Sequence, residues 1–226
     1  MDRHRRQLLL GLALLPAGPF VLPRLALAST VGRPPDGVYR YRLEHSDHGE
    51  LGTHTIAIVS DGDERRVTVE RRLKVTRVLI TVFREETDTE EIWRDGRMVS
   101  YRRVTDGDEA EALRAWEEGG RLVAEGPEGR FELPLGTFPT HPWNPEIVEE
   151  RLLMDTGSGR PVEVETLPAG EEQVVVGDQR LQARRFEMNG GQRRSLWYDE
   201  EGRLLRMVIH RDDGGGVTFA LERLPG

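Results

Sequence analysis

Residues 39–75 decide the fold: YRYRLE at 39–44, THTIAI at 53–58, Asp61-Gly62, then VTVERRLKV at 67–75. Tyr39, Tyr41 and Leu43 alternate with Arg40, Arg42 and Glu44, and His54, Ile56 and Ile58 alternate with Thr53, Thr55 and Ala57. Val67, Val69, Leu73 and Val75 share one parity, and Thr68, Glu70, Arg72 and Lys74 the other. A period of two puts successive side chains on opposite faces of a strand, so each run reads as a strand with one dry and one wet face. Asp61-Gly62 supplies the positive φ that a tight hairpin requires. Arg71 interrupts the dry parity between Val69 and Leu73. A bulge that shifts the register is the favoured explanation, and an arginine facing a polar pocket the other.

Working outward, the same grammar repeats. Asp95-Gly96, Gly177-Asp178 and Glu201-Gly202 separate strand-like runs, and Gly126-Pro127-Glu128-Gly129 makes a longer hairpin loop. Hairpin following hairpin predicts a mainly β, antiparallel meander, because sequence neighbours then pair in space. Val78–Phe83 (VLITVF) is apolar on both parities and reads as a central strand covered on both faces. Asp108–Glu118 is either a helix, with Leu113 and Trp116 three apart, or a strand with a charged face. Asn144 as cap, Pro145 in the first helical position and Glu146 behind it predict one short helix near 145–152. No linker composition divides the chain, so residues 29–226 are expected to form a single β-rich domain.

Residues 1–28 read as an export signal: Arg3, His4, Arg5 and Arg6, then the apolar run Leu8–Leu15, then Ala26-Leu27-Ala28 as a small-x-small cleavage site. Pro16, Pro19 and Pro23 make this a poor membrane span, and none is expected to remain once the signal is removed. Arg5-Arg6 before Gln7-Leu8-Leu9 resembles a twin-arginine signal, with His4 preceding the pair. A periplasmic or secreted location follows as the expectation. Without residues 1–28 the balance is 28 basic to 39 acidic residues, a net −11. So acidic a chain argues against nucleic acid as partner and disfavours anionic headgroup surfaces. The absence of cysteine excludes disulfides, thiolate metal sites and thiol nucleophiles.

The candidate ligand-binding residues are His141, Trp143, Asn144, Trp93, Trp197 and Tyr198. Pro139, Pro142 and Pro145 stiffen the loop that presents His141, Trp143 and Asn144, and a stiff loop loses little entropy on binding. The competing reading makes Trp143 a core plug and Asn144 a helix cap. Trp93, Trp197 and Tyr198 precede hairpin turns, where they line an apolar hollow or pair across strands. His45, His48 and His54 form no tight ligand set, so neither a metal nor another cofactor is expected. Nucleophile-elbow, phosphate-loop and dinucleotide signatures are absent, and no catalytic residue is assigned.

Taken in order, Gly52-Thr-His-Thr55, Leu79-Ile-Thr-Val-Phe83, Glu91-Ile-Trp-Arg-Asp-Gly-Arg97, Trp143-Asn-Pro145, Asp155-Thr-Gly-Ser-Gly-Arg160 and Leu196-Trp-Tyr-Asp199 with Gly202-Arg203 resemble a family of exported bacterial β-proteins known only as a domain of unknown function. The terminal pattern, from Ala183-Arg-Arg-Phe186 to a last strand near Leu221, is distantly similar to the lipoprotein carrier and acceptor of the outer-membrane sorting pathway. That likeness implies a curved, half-open, barrel-like sheet whose apolar concavity shields acyl chains. An anchored-acceptor role does not carry over, since no lipid-bearing cysteine is present. The expectation is a non-enzymatic binding protein for an apolar, lipid-like or amphipathic ligand, or for an envelope protein. The alternatives are a hydrolase using His141 or His54 with a nearby carboxylate, and an assembly protein acting through a sheet edge.

Overall fold

A computed structural model of the chain describes residues 32–77, 80–107 and 111–225; the predicted export signal at 1–28 lies outside them. The first run of strands is β1 (Gly37–His45), β2 (Gly49–Asp61), β3 (Glu64–Arg77), β4 (Ile80–Arg94), β5 (Arg97–Gly107), β6 (Glu111–Glu118), β7 (Arg121–Gly126) and β8 (Gly129–Pro134). A connecting region follows with β9 (Phe138–Pro139), a 3-10 helix (Pro145–Glu149), β10 (Leu152–Met154) and β11 (Pro161–Glu163). The second run is β12 (Glu165–Val176), β13 (Gln179–Asn189), β14 (Arg194–Tyr198), β15 (Leu204–His210) and β16 (Gly216–Leu221).

Both runs are meanders, and they fuse where β16 pairs antiparallel with β1, Tyr41 opposite Leu221 and Leu43 opposite Phe219. The result is one 13-stranded antiparallel sheet with β12 and β8 at its edges; these edges do not pair, so the sheet is not closed into a barrel. Strands β9–β11 form a separate three-stranded sheet. The predicted turns hold: at the β4–β5 hairpin Asp95 and Gly96 have φ of 51° and 75°, the two positive angles a two-residue hairpin needs to match strand twist.

The curvature can be argued from two hydrogen bonds. Tyr198 on β14 donates its hydroxyl to the carbonyl of Pro142 at 2.7 Å, and the indole of Trp143 donates to Glu91 on β4 at 2.7 Å. Six strand intervals separate β14 from β4. In a flat sheet they would lie about 29 Å apart, yet both reach adjacent residues of one loop. The sheet wraps around residues 139–145.

Cross-strand register assembles the inner face. One row runs Tyr41, His54, Arg71, Thr87, Thr105 across β1 to β5; a second runs Tyr39, Ile56, Val69, Thr89, Arg103; a third runs Ile58, Val67, Glu91, Tyr101 across β2 to β5. In the first two rows β4 and β5 contribute the polar Thr87, Thr105, Thr89 and Arg103, and in the third the buried Glu91 stands beside Tyr101.

Four sequence expectations are refined here. Glu111–Glu118 is a strand, with Leu113 and Ala115 buried, because those residues add a sixth strand to a sheet already formed; Asp108–Ala110 lie outside the described residues. The helix is a five-residue 3-10 turn, capped by the Asn144 side chain and ended when Glu150 turns extended and donates to Ile147. VLITVF is not a single central strand: β3 ends at Arg77, β4 begins at Ile80, and Val78 and Leu79 lie outside the described residues. No bulge occurs at Arg71, since pairing with β2 and β4 runs unbroken through it, so the arginine faces inward.

Gly52 sits between Leu43 and Leu73 with φ of 146°, and a Cβ there would lie 2.0 Å from the carbonyl oxygen of Arg72. Gly52→Ala is expected to lower the urea-unfolding free energy by about 1–3 kcal/mol from the backbone angle alone, with the clash adding to it. An unchanged urea midpoint would contradict this packing.

Candidate functional site

The inner face closes over the loop Pro139–Pro145 at a fully buried carboxylate. Glu91 Oε2 accepts the indole N–H of Trp93 at 2.9 Å and of Trp143 at 2.7 Å, and Oε1 faces His141 Nδ1 at 3.2 Å. All three neighbours offer N–H groups, which suits an ionised carboxylate, an acceptor only. Burying that charge costs several kcal/mol; each charge-assisted bond returns about 1.5–3 kcal/mol. The two indoles meet edge-to-face at 5.3 Å, and Phe138 packs on Trp93 at 4.8 Å. Arg194 on β14 donates to the carbonyl of Thr140, and Thr140 donates its amide to Met154 at 2.8 Å. Both sides of the sheet thus grip the loop.

The polar chain continues inward. His141 Nε2 and His54 Nε2 are 3.1 Å apart. One of the two Nε2 atoms donates to the other. His54 Nδ1 is buried with no hydrogen-bond partner among the described residues. The ring packs against Phe219 and Tyr41, at 5.3 and 5.9 Å. Burial, with His141 and Arg71 adding to it, holds His54 well below the ordinary histidine value of 6.5, so it is neutral. Burial pushes the phenols of Tyr41 and Tyr198 upward, and both donate to carbonyls, Leu204 and Pro142.

Between this chain and the sheet lies a cavity of about 140 Å³. Its lining mixes apolar side chains, Val69, Leu204, Met207, Ile209 and Phe219, with the polar Arg71, Arg103, Thr140, Gln192 and Arg194. These polar residues also line an adjoining vestibule of about 480 Å³, bordered by the loop Asp155–Arg160. Among the described residues no group of three or more His, Asp or Glu is placed to hold a metal ion. His45 and His48 stack on each other at the exposed β1–β2 turn, apart from His54 on the inner face.

The six candidate residues fall in different places. His141 lines the cavity. Trp93, Trp143 and Asn144 border a separate cleft beside the β4–β5 turn, with both indoles committed to Glu91. Trp197 donates to Glu172 at 3.0 Å and lies between the guanidinium groups of Arg185 and Arg206. Tyr198 is buried beneath the loop. Glu91, Arg103, Arg194 and Tyr41 entered no sequence-based site. A signal for Glu91 existed: Glu85, Thr87, Thr89 and Glu91 share one parity with Trp93, a polar row on a face that also carries a buried indole.

Fold and site together define a β-protein whose wrapped sheet holds a loop and a lined pocket. The chain belongs to the DUF6134 family, a domain of unknown function, whose family model matches residues 41–222. No curated protein matches it. Among solved structures it is similar to a β-barrel-like protein of the DUF1849 domain of unknown function from Brucella abortus, at 14% identity and a TM-score of 0.60, covering 85% of this chain and 98% of that one. At that identity the likeness concerns the fold.

A neutral buried His54 has a pH consequence. Its folded value is lowered, so below about 6.5 the unfolded chain binds the extra proton and stability falls as pH drops. Urea-unfolding free energies measured between pH 7.5 and 5.5 are expected to fall toward acid in the parent, with His54 contributing at most about 1.4 kcal/mol per pH unit, and to fall less steeply in His54→Gln. Parallel profiles would contradict a neutral buried His54.

Proposed function

We propose that the protein is exported and serves as a non-enzymatic binding protein, holding a small amphipathic ligand between the inner face of the sheet and the loop at 139–145. The observation that carries this reading is the mixed lining of the cavity. Val69, Met207 and Phe219 offer apolar surface, worth about 25 cal/mol per Å² removed from water, and Arg71, Arg103 and Gln192 offer polar groups. A ligand with apolar and polar parts satisfies both kinds of lining, and the vestibule provides its way in. Export is supported by the basic, apolar and small-x-small succession in residues 3–28. Among the described residues no helix is long and apolar enough to cross a membrane.

One observation favours the hydrolase reading as a second choice: Glu91 beside His141 is the carboxylate–imidazole pair a general base needs. Against it, the nitrogen such a base would present, His141 Nε2, faces His54 Nε2 and not a hydroxyl. A dansyl-labelled fatty acid titrated into the purified protein is expected to give a saturable blue shift, with p-nitrophenyl octanoate remaining unhydrolysed. No saturable shift, together with ester turnover that His141→Ala abolishes, would replace the binding reading with the hydrolase one.

A further inference from the structure

We infer that the junction of the cavity with its vestibule is an oxyanion site, in which Arg71, Arg103 and Arg194 receive the carboxylate or phosphate headgroup of a single-chain amphiphile. This deepens the binding function proposed above and rests on it. Arg71 on β3 and Arg103 on β5 flank Thr87 and Thr89 of β4, and Arg194 enters from β14 on the far side of the wrapped sheet. All three line both the cavity and its vestibule.

Arg194 is the least compensated. It is 8% exposed and forms no salt bridge among the described residues. Nη1 donates to the carbonyl of Thr140 and Nη2 to Gln192 Oε1, both neutral acceptors, and Nε has no partner. A guanidinium keeps its proton in a protein, so a buried one needs an anion close by. Burial presses its pKa downward, and the charge of Asp155 opposes this only in part.

Two of the carboxylates nearby are committed elsewhere, and the third, Asp155, acts on Arg194 through its charge without a salt bridge among the described residues. Glu85 bonds Arg71 and Thr87, and Glu91 holds the two indoles. Asp155 Oδ1 accepts the amides of Gly157 and Ser158 at 3.0 and 2.8 Å and the Ser158 hydroxyl at 2.8 Å. Arg71 Nε is buried without a partner. Arg103 spends Nη1 on the carbonyls of Thr156 and Gly157, with Glu111 only at 3.9 Å. Arg71 and Arg194 line both spaces and each keeps an Nε without a partner, and guanidinium groups are the side chains best suited to bind carboxylate or phosphate. A neutral headgroup would leave Arg194 as it stands.

The test is calorimetric titration of the purified protein with octanoate, octyl phosphate and octanol. At least one anion is expected to bind about tenfold more tightly than octanol, the charge-assisted bonds making the difference. The better of the two anions names the headgroup. Arg194→Gln is expected to weaken that anion about tenfold and leave octanol unchanged, and Arg194→Lys to recover part of the loss. Arg103→Gln gives the same readout should the Arg194 variants not fold. Octanol matching both anions, or anion binding unmoved in both glutamine variants, would overturn the oxyanion site while keeping the amphipathic cavity. Binding of none of the three would overturn the cavity reading itself.

Discussion

A carboxylate with no exposed surface, bonded to two indoles and an imidazole, governs this structure. Glu91 must keep its three N–H neighbours, because an ionised group without them cannot remain in an apolar interior. Two of the three, His141 and Trp143, stand on a loop stiffened by three prolines. Satisfying Glu91 therefore brings the loop down on the sheet, and bonds from Tyr198 and Arg194 draw the opposite strands around it. The seating of His141 and Trp143 on the sheet follows from one buried charge, and the wrap is completed by the bonds of Tyr198 and Arg194 to the same loop.

The cavity's chemistry follows from register. Strands β1 and β2 bring Tyr41, Ile56 and Ile58 to the inner face, whereas β4 and β5 bring Thr87, Thr89 and Arg103 to it. A sheet built only for stability would continue the apolar pattern across its whole width. Polar residues on an inner face cost desolvation unless they meet partners, and His54 Nδ1, Arg71 Nε and Arg194 Nε meet none among the described residues. Such groups gathered at one pocket are the reason a ligand with a polar end is proposed, and they locate it more narrowly than the fold does.

Much of the fold was legible because period-two alternation and Gly-containing turns are local signals. The β1 to β3 hairpins and the turns at Asp95-Gly96 and Gly177-Asp178 came directly from them. The junction of β16 with β1 was not legible, since pairing between distant segments leaves no local mark. Arg71 was misread because strand parity shows which way a side chain points but not whether a pocket waits there. His141 was found through its proline-flanked loop. Glu91 was passed over because one acid among 40 acidic residues carries no label; only its parity with Trp93 set it apart. Arg194 and Arg103 became visible only when strands far apart in sequence met around the loop.

The central claim, that ionised Glu91 clasps the loop to the sheet, is tested most directly by the urea-unfolding free energy of Glu91→Gln against the parent. The substitution preserves size and removes the charge, and it turns an amide N–H₂ toward groups that are themselves donors. A loss of about 1–3 kcal/mol is predicted, the usual cost of leaving buried hydrogen-bonding groups unsatisfied. A variant within about 0.5 kcal/mol of the parent, the range typical of an inconsequential surface change, would contradict the account.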